Sequence, residues 1–161
     1  MPAKDQTCFK SRCLLIPLIV FIVAILGSIF TSWGMDWYQT LKLPENVASG
    51  RIISIAWTLI YIFSAIAVLL VFETKKRDKK FKCIIKLFII NAVLNVLWTL
   101  FFFVAHWILV ALILIIFLEI STIALIILIW PRCRWAAILF LPYALWLIVA
   151  IYYNIQIWLL N

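Results

Sequence analysis

The chain has 161 residues, of which 68% are apolar and only 12% charged, a balance that excludes an ordinary water-soluble domain. Fourteen basic against six acidic residues give a formal net charge of +8. The basic residues cluster between apolar stretches, so they read as a membrane-topology signal with attraction to anionic head groups, not as a nucleic-acid surface.

Five apolar stretches follow one another, at about 14–33, 52–72, 84–104, 107–130 and 135–158. Each is close to the ~20 residues that a helix needs to cross the hydrocarbon core. Backbone polar groups in lipid must be satisfied within the segment, so the stretches are helices. The expected fold is an all-α integral membrane protein, a five-transmembrane-helix bundle in which residues 1–161 form one domain.

The first stretch follows Lys4, Lys10 and Arg12. It reads as a span and not as a cleaved signal peptide, because it lacks a small-residue cleavage site and its far end is Trp-rich. Its small residues Ala24, Gly27, Ser28 and Thr31 offer a neighbouring helix a close approach. The segment after it, 34–51, is the longest connection on that side and is expected to act as a lid. The second stretch carries Trp57 and Tyr61, with Ser64 one turn further on the same face. In or beside the connection between the second and third lie Lys75, Lys76, Arg77, Lys79, Lys80, Lys82 and Lys86, and between the fourth and fifth Arg132 and Arg134. With the N-terminal three, twelve basic residues fall on one side and only Lys42 and Arg51 on the other, which predicts a cytoplasmic N-terminus.

The third stretch contains NAVLNVLWTLFFF, residues 91–103. Asn91, Asn95, Trp98 and Phe102 lie within about 60° of one another at 100° per residue, one narrow helical stripe. Amides in a span need partners, so Asn91 and Asn95 are either glue to a neighbouring helix or contacts to a ligand. The fourth stretch holds Glu119 in mid-span, expected to be protonated or bonded to Thr122 or to another helix, with a proton relay as its functional alternative. His106, in the turn before it, reads as an interfacial residue and not as a haem ligand. In the fifth stretch Tyr143, Ala150, Asn154 and Asn161 share a face flanked by Trp146 and Tyr153. Trp33, Trp107, Trp130, Trp135 and Trp158 sit near span ends, where an interfacial belt explains them.

Three helices thus bring amides, phenols and indoles to one depth, in the half beneath the 34–51 loop. An aromatic cavity with a few placed polar groups suits a flat, mostly apolar ligand. Hydrolytic and phosphoryl-transfer chemistry have no visible machinery: there is no Ser/His/Asp set, no carboxylate pair and no glycine-rich phosphate loop. Cys8, Cys13, Cys83 and Cys133 lie at the basic side without zinc spacing, so no metal and no disulfide framework is expected.

Four strings carry a family resemblance. WYQTLKLP (37–44), AWTLIY (56–61), NAVLNVLWTLFFF (91–103) and LPYALWLIVAIYYN (141–154) resemble, in order, motifs of the tryptophan-rich sensory protein/translocator protein family, also called the peripheral benzodiazepine receptor family. Asn91 stands where that family usually has Gln. The resemblance implies a five-helix bundle, often a homodimer, binding porphyrins such as protoporphyrin IX or similar hydrophobic molecules in a pocket beneath the first loop. It also implies that Asn95 faces the ligand and that Ala150 lines the pocket. In some bacterial members pocket tryptophans matching Trp57 and Trp146 support light-dependent porphyrin breakdown.

The expected ligand-binding set is therefore Trp37, Tyr38, Trp57, Tyr61, Asn91, Asn95, Trp98, Phe102, Tyr143, Trp146, Ala150 and Asn154. The expected partners are a porphyrin or another hydrophobic molecule, the bilayer and a second copy, with no cofactor and no nucleic acid. Porphyrin degradation through Trp57 and Trp146, or transport coupled to Glu119, are the alternatives. A bacterial inner membrane is the favoured location, a mitochondrial outer membrane the other. ASGRII (48–53) departs from the family's pattern at the start of the second helix, so loop closure and ligand preference are expected to differ. No Lys or Arg follows Tyr153, and cholesterol transport is not implied.

Overall fold

The computed structural model describes residues 3–74 and 77–161, with side chains from residue 16 onward. Lys75 and Lys76, and the side chains of Lys4, Cys8, Lys10, Arg12 and Cys13, lie outside the described residues. Among the described residues the structure is five helices: α1 (Ala3–Thr40), α2 (Gly50–Glu73), α3 (Lys79–Thr99), α4 (Ile108–Ile129) and α5 (Arg134–Leu160). All five contain a stretch long and apolar enough to cross a membrane. Their outward faces carry Ile, Leu, Val and Phe, the inverse of a water-soluble surface.

The helices close into a ring in the order α1, α2, α5, α4, α3 and back to α1. Small and polar residues occupy the inner faces where helices meet, including Ala67, Ala111, Ala136, Ala137, Thr99 and Thr122. One end, the basic end, carries the α2–α3 and α4–α5 turns. There Asp78 caps α3 by accepting from the Phe81 N–H at 2.9 Å and also pairs with Arg132, pinning the two turns together. The other end carries the α1–α2 loop and the α3–α4 turn.

Three features depart from the expected organisation. First, α1 runs on through Thr40, so Trp37 and Tyr38 are helical and the loop shrinks to residues 41–49. Nothing from Gly34 to Thr40 breaks a helix; the chain leaves it just ahead of Leu43-Pro44, where the proline disfavours helical backbone in the preceding residue. Second, α3 begins at Lys79 and not near residue 84, which makes Lys79, Lys80 and Lys82 helical residues and not loop residues. Third, α3 ends in a π-helical turn, Leu100–Val104, in which the Ala105 N–H reaches back to the Leu100 carbonyl at 3.0 Å and the Trp107 N–H to Phe101 at 2.9 Å. His106 closes this turn with φ of 60°, a left-handed conformation uncommon for a residue with a side chain. Its ring stacks on Trp37, centroids 4.1 Å apart.

Of the small residues Ala24, Gly27, Ser28 and Thr31, Gly27 is buried beside Tyr61 and Thr99, and a tighter approach lies at Gly34. Gly34 lies directly on the Phe103 backbone of the π-turn, while Ser28 faces outward.

Candidate functional site

The 41–49 loop is tied down on the end of α5. Asn161 accepts from the Lys42 N–H at 3.0 Å and donates to the Lys42 carbonyl at 3.1 Å. Tyr152 accepts from Asn46 Nδ2 at 3.2 Å, and Tyr153 accepts from the Ala48 N–H at 3.1 Å while donating to the Asn46 carbonyl. The last turns of α5 therefore pin this loop.

Beneath it lies an aromatic layer. Trp57 of α2 stacks on Trp98 of α3, centroids 5.6 Å apart and planes 25° apart. Trp98 continues to Phe102, and Phe102 meets both Trp37 and Tyr38. Beside the layer a line of side chains crosses the bundle. Tyr61 donates to Asn95 Oδ1 at 3.1 Å, and Asn95 Nδ2 donates to the Tyr143 hydroxyl at 3.1 Å. Trp98 Nε1 points to Asn154 Oδ1 at 3.4 Å, and Asn154 Nδ2 bonds back to the Ala150 carbonyl at 2.9 Å. The amides of Asn95 and Asn154 thus join three helices. Trp146 packs against the same core, and its buried Nε1 has no hydrogen-bond partner among the described residues.

A partly enclosed, apolar cavity lies not in this layer but next to it, toward the basic end. It measures about 240 Å³ and lies between α1, α2, α3 and the start of α5. Of the expected binding residues, Tyr61, Asn91, Asn95 and Tyr143 line it. Trp37, Tyr38, Trp57, Trp98 and Phe102 instead pack on one another, and Trp146, Ala150 and Asn154 stand along α5. Beneath the loop, Trp57 and Trp98 stack on each other. Helical phase placed these residues on one face but carried no information on whether their rings would meet.

Asn91 has a different set of partners from Asn95. Its Nδ2 donates to Ser121 Oγ at 2.8 Å and to Thr122 Oγ1 at 2.9 Å, and both hydroxyls donate in turn to the Leu118 carbonyl. This is helix-to-helix glue between α3 and α4. Asn91→Ala should lower thermal stability by about 1 kcal/mol, in line with polar contacts between membrane helices; a melting curve checks it. Thr122 bonds to Asn91 and Leu118, and no hydrogen bond joins it to Glu119 among the described residues. Glu119 Oε2 is buried without a hydrogen bond among the described residues. The described cysteines, Cys83 and Cys133, are free thiols, and no metal-binding cluster occurs among the described residues.

Comparison with known proteins places this geometry. A family model described as TspO/MBR family matches residues 15–159. The chain is 32% identical over 146 residues to the tryptophan-rich protein TspO of Archaeoglobus fulgidus, covering 89% of this chain and 93% of that protein. It is 27% identical over 135 residues to protein CrtK of Rhodobacter capsulatus, covering 84% and 83%. An uncharacterized membrane protein of Bacillus subtilis, YtaB, is 29% identical over 137 residues, covering 80% and 85%.

Proposed function

The chain belongs to the TspO/MBR family and is a multi-pass membrane protein, and from that premise we propose that it is a receptor- or sensor-type protein binding a tetrapyrrole or a similarly flat hydrophobic molecule in the aromatic layer beneath the lid. One observation carries the reading. Stacked indoles, Trp57 on Trp98, lie beside a hydrogen-bonded line of Tyr61, Asn95 and Tyr143 in a region otherwise built of hydrocarbon. A planar ring entering between Trp57 and Trp98 exchanges one stacking contact for two, so opening the pair costs little once the ligand is in. Trp146 supplies a further reason: a buried N–H without an acceptor costs stability, and a ligand oxygen or nitrogen would relieve it.

The lid sets access from one side. Asn161, Tyr152 and Tyr153 hold the loop to α5 by side-chain hydrogen bonds at the exposed end of the bundle, where water competes for them. In the orientation that the basic residues favour, the lid faces away from the cytoplasm and the N-terminus faces it. A bacterial inner membrane and a homodimer belong to the same proposal.

The test is a titration of protoporphyrin IX into detergent-purified protein, read by quenching of tryptophan fluorescence. Wild type should quench saturably. Trp146→Phe should weaken binding roughly three- to tenfold, the loss of one neutral hydrogen bond. A folded wild type that shows only linear, unsaturable quenching would overturn the assignment.

A further inference from the structure

We propose that the cavity toward the basic end is a second binding site, separate from the aromatic layer, which takes one long-chain carboxylate from the bilayer with its tail inside and its carboxylate at Lys82 and Lys86. The shape comes first. Along α3 the cavity wall runs from Ile85 to Asn95, ten residues or about 15 Å. That is half of the ~30 Å hydrocarbon core, the depth which one lipid tail occupies in one leaflet. Its volume of about 240 Å³ lies below the ~300–1,000 Å³ of pockets for drug-sized ligands. A space this long and this small fits a chain, not a macrocycle.

The walls and the two ends give the polarity. Ile16, Val20, Val68, Phe72, Ile85 and Phe88 make the sides apolar. At the inner end stand Tyr61, Asn95 and Tyr143, whose hydrogen bonds run to one another, so a hydrocarbon terminus resting there breaks none of them. The side opens to the bilayer: Ile19 of α1 and Ile89 of α3 both line the cavity and are 48% and 60% exposed. A tail can enter between α1 and α3 without leaving the hydrocarbon.

The opposite end is basic. Lys82 and Lys86 are exposed and share a stripe of α3 with Ile85 and Ile89: Lys82 lies one turn nearer the membrane surface than Ile85, and Lys86 lies beside Ile85 at the edge of the wall. Arg77 is held at this end over the rings of Phe72 and Phe81. Among the described side chains at this end, Glu73 at the end of α2 is acidic, and Asp78 is paired with Arg132. Moving from lipid into an apolar cavity gives a hydrocarbon tail no hydrophobic gain. Selection must therefore come from the head group, and the lysines select an anion.

Parinaric acid, a slender fluorescent fatty acid, is the probe, with energy transfer from protein tryptophan as the readout in detergent-purified protein. Wild type should bind it saturably. Ala92→Phe, which fills the cavity from α3, should abolish saturable transfer and leave the protoporphyrin titration unchanged. The double variant Lys82→Ala/Lys86→Ala, on an exposed surface where folding is not at issue, should weaken binding roughly tenfold or more. The corresponding uncharged alcohol should bind as weakly to wild type. Unsaturable partitioning by wild type, or binding that Ala92→Phe leaves intact, overturns the site. Equal affinity for acid and alcohol, with the lysine variant unaffected, overturns the carboxylate assignment. Because the porphyrin readout depends on the aromatic layer, loss of one kind of binding without the other shows which of the two readings has failed.

Discussion

Gly34→Ala is expected to destabilise the protein by about 1–3 kcal/mol, although alanine is the better helix former by about 1 kcal/mol. A Cβ built on Gly34 lands on the Phe103 carbonyl oxygen and lies 2.6 Å from its carbonyl carbon and 2.7 Å from Phe103 Cβ. The obstacle is backbone, so no rotamer change relieves it. Either α1 moves off the π-helical turn or the turn itself shifts, and both disturb Phe102, which contacts Trp37 and Tyr38. Gly27 is the control. Its added Cβ would sit 3.4 Å from the Tyr61 hydroxyl, an ordinary contact, so Gly27→Ala should stay within about 0.5 kcal/mol of wild type. Thermal melting of the two variants in one detergent checks the contrast. Equal stability would mean that α1 does not seat on the π-turn as described.

The fold was legible because the bilayer leaves few choices. Apolar stretches of about twenty residues with basic residues between them admit only helices. The stripe from Asn91 to Phe102 was legible for the same reason, since a regular helix turns spacing into phase. Phase ends where the helix stops being regular. The π-turn and the positive φ of His106 carry no sequence signal in LFFFVAH, and the stack of His106 on Trp37 depends on both. Residues 34–51, Trp37 and Tyr38 among them, read as a loop that begins at Gly34, yet α1 runs on through Thr40. In the structure that glycine serves the close approach to Phe103.

The site divides along the same line. That Asn95 meets Tyr61 and Tyr143 follows from shared depth and facing stripes. That Trp57 closes on Trp98 follows from ring orientation and from the distance between helices, which spacing does not encode. The cavity was hidden for a further reason. Ile85, Phe88 and Ile89 look like any lipid-facing apolar residues, and only the gap left between α1, α2 and α3 makes them a wall. Asn161 shows the reverse case. It shares a helical face with Asn154, but its two bonds to Lys42 give it to the lid and not to the layer beneath.

Asn95→Leu should cost about 2–3 kcal/mol, because the change keeps the bulk and removes the hydrogen bonds to Tyr61 and Tyr143. Tyr61 then loses its acceptor and Tyr143 its donor, and an orphaned buried polar group costs about 1–3 kcal/mol, with membrane contacts toward the lower end. The penalty belongs to the stranded hydroxyls, so it should be recoverable. Combining Asn95→Leu with Tyr61→Phe and Tyr143→Phe leaves an apolar layer of similar shape and should regain most of the lost stability, as replacing both partners of a buried pair is often near neutral. That triple variant separates the two uses of the amide. If it melts near wild type but binds protoporphyrin IX at least about tenfold more weakly, a factor of about 1.4 kcal/mol, the polar line serves the ligand as well as the fold. If it melts near wild type and binds as tightly, Asn95 is helix glue like Asn91, and the ligand reading must rest on the indoles alone. If stability does not return, the three side chains do more for packing than their hydrogen bonds account for, and the assignment of the penalty to stranded hydroxyls is wrong.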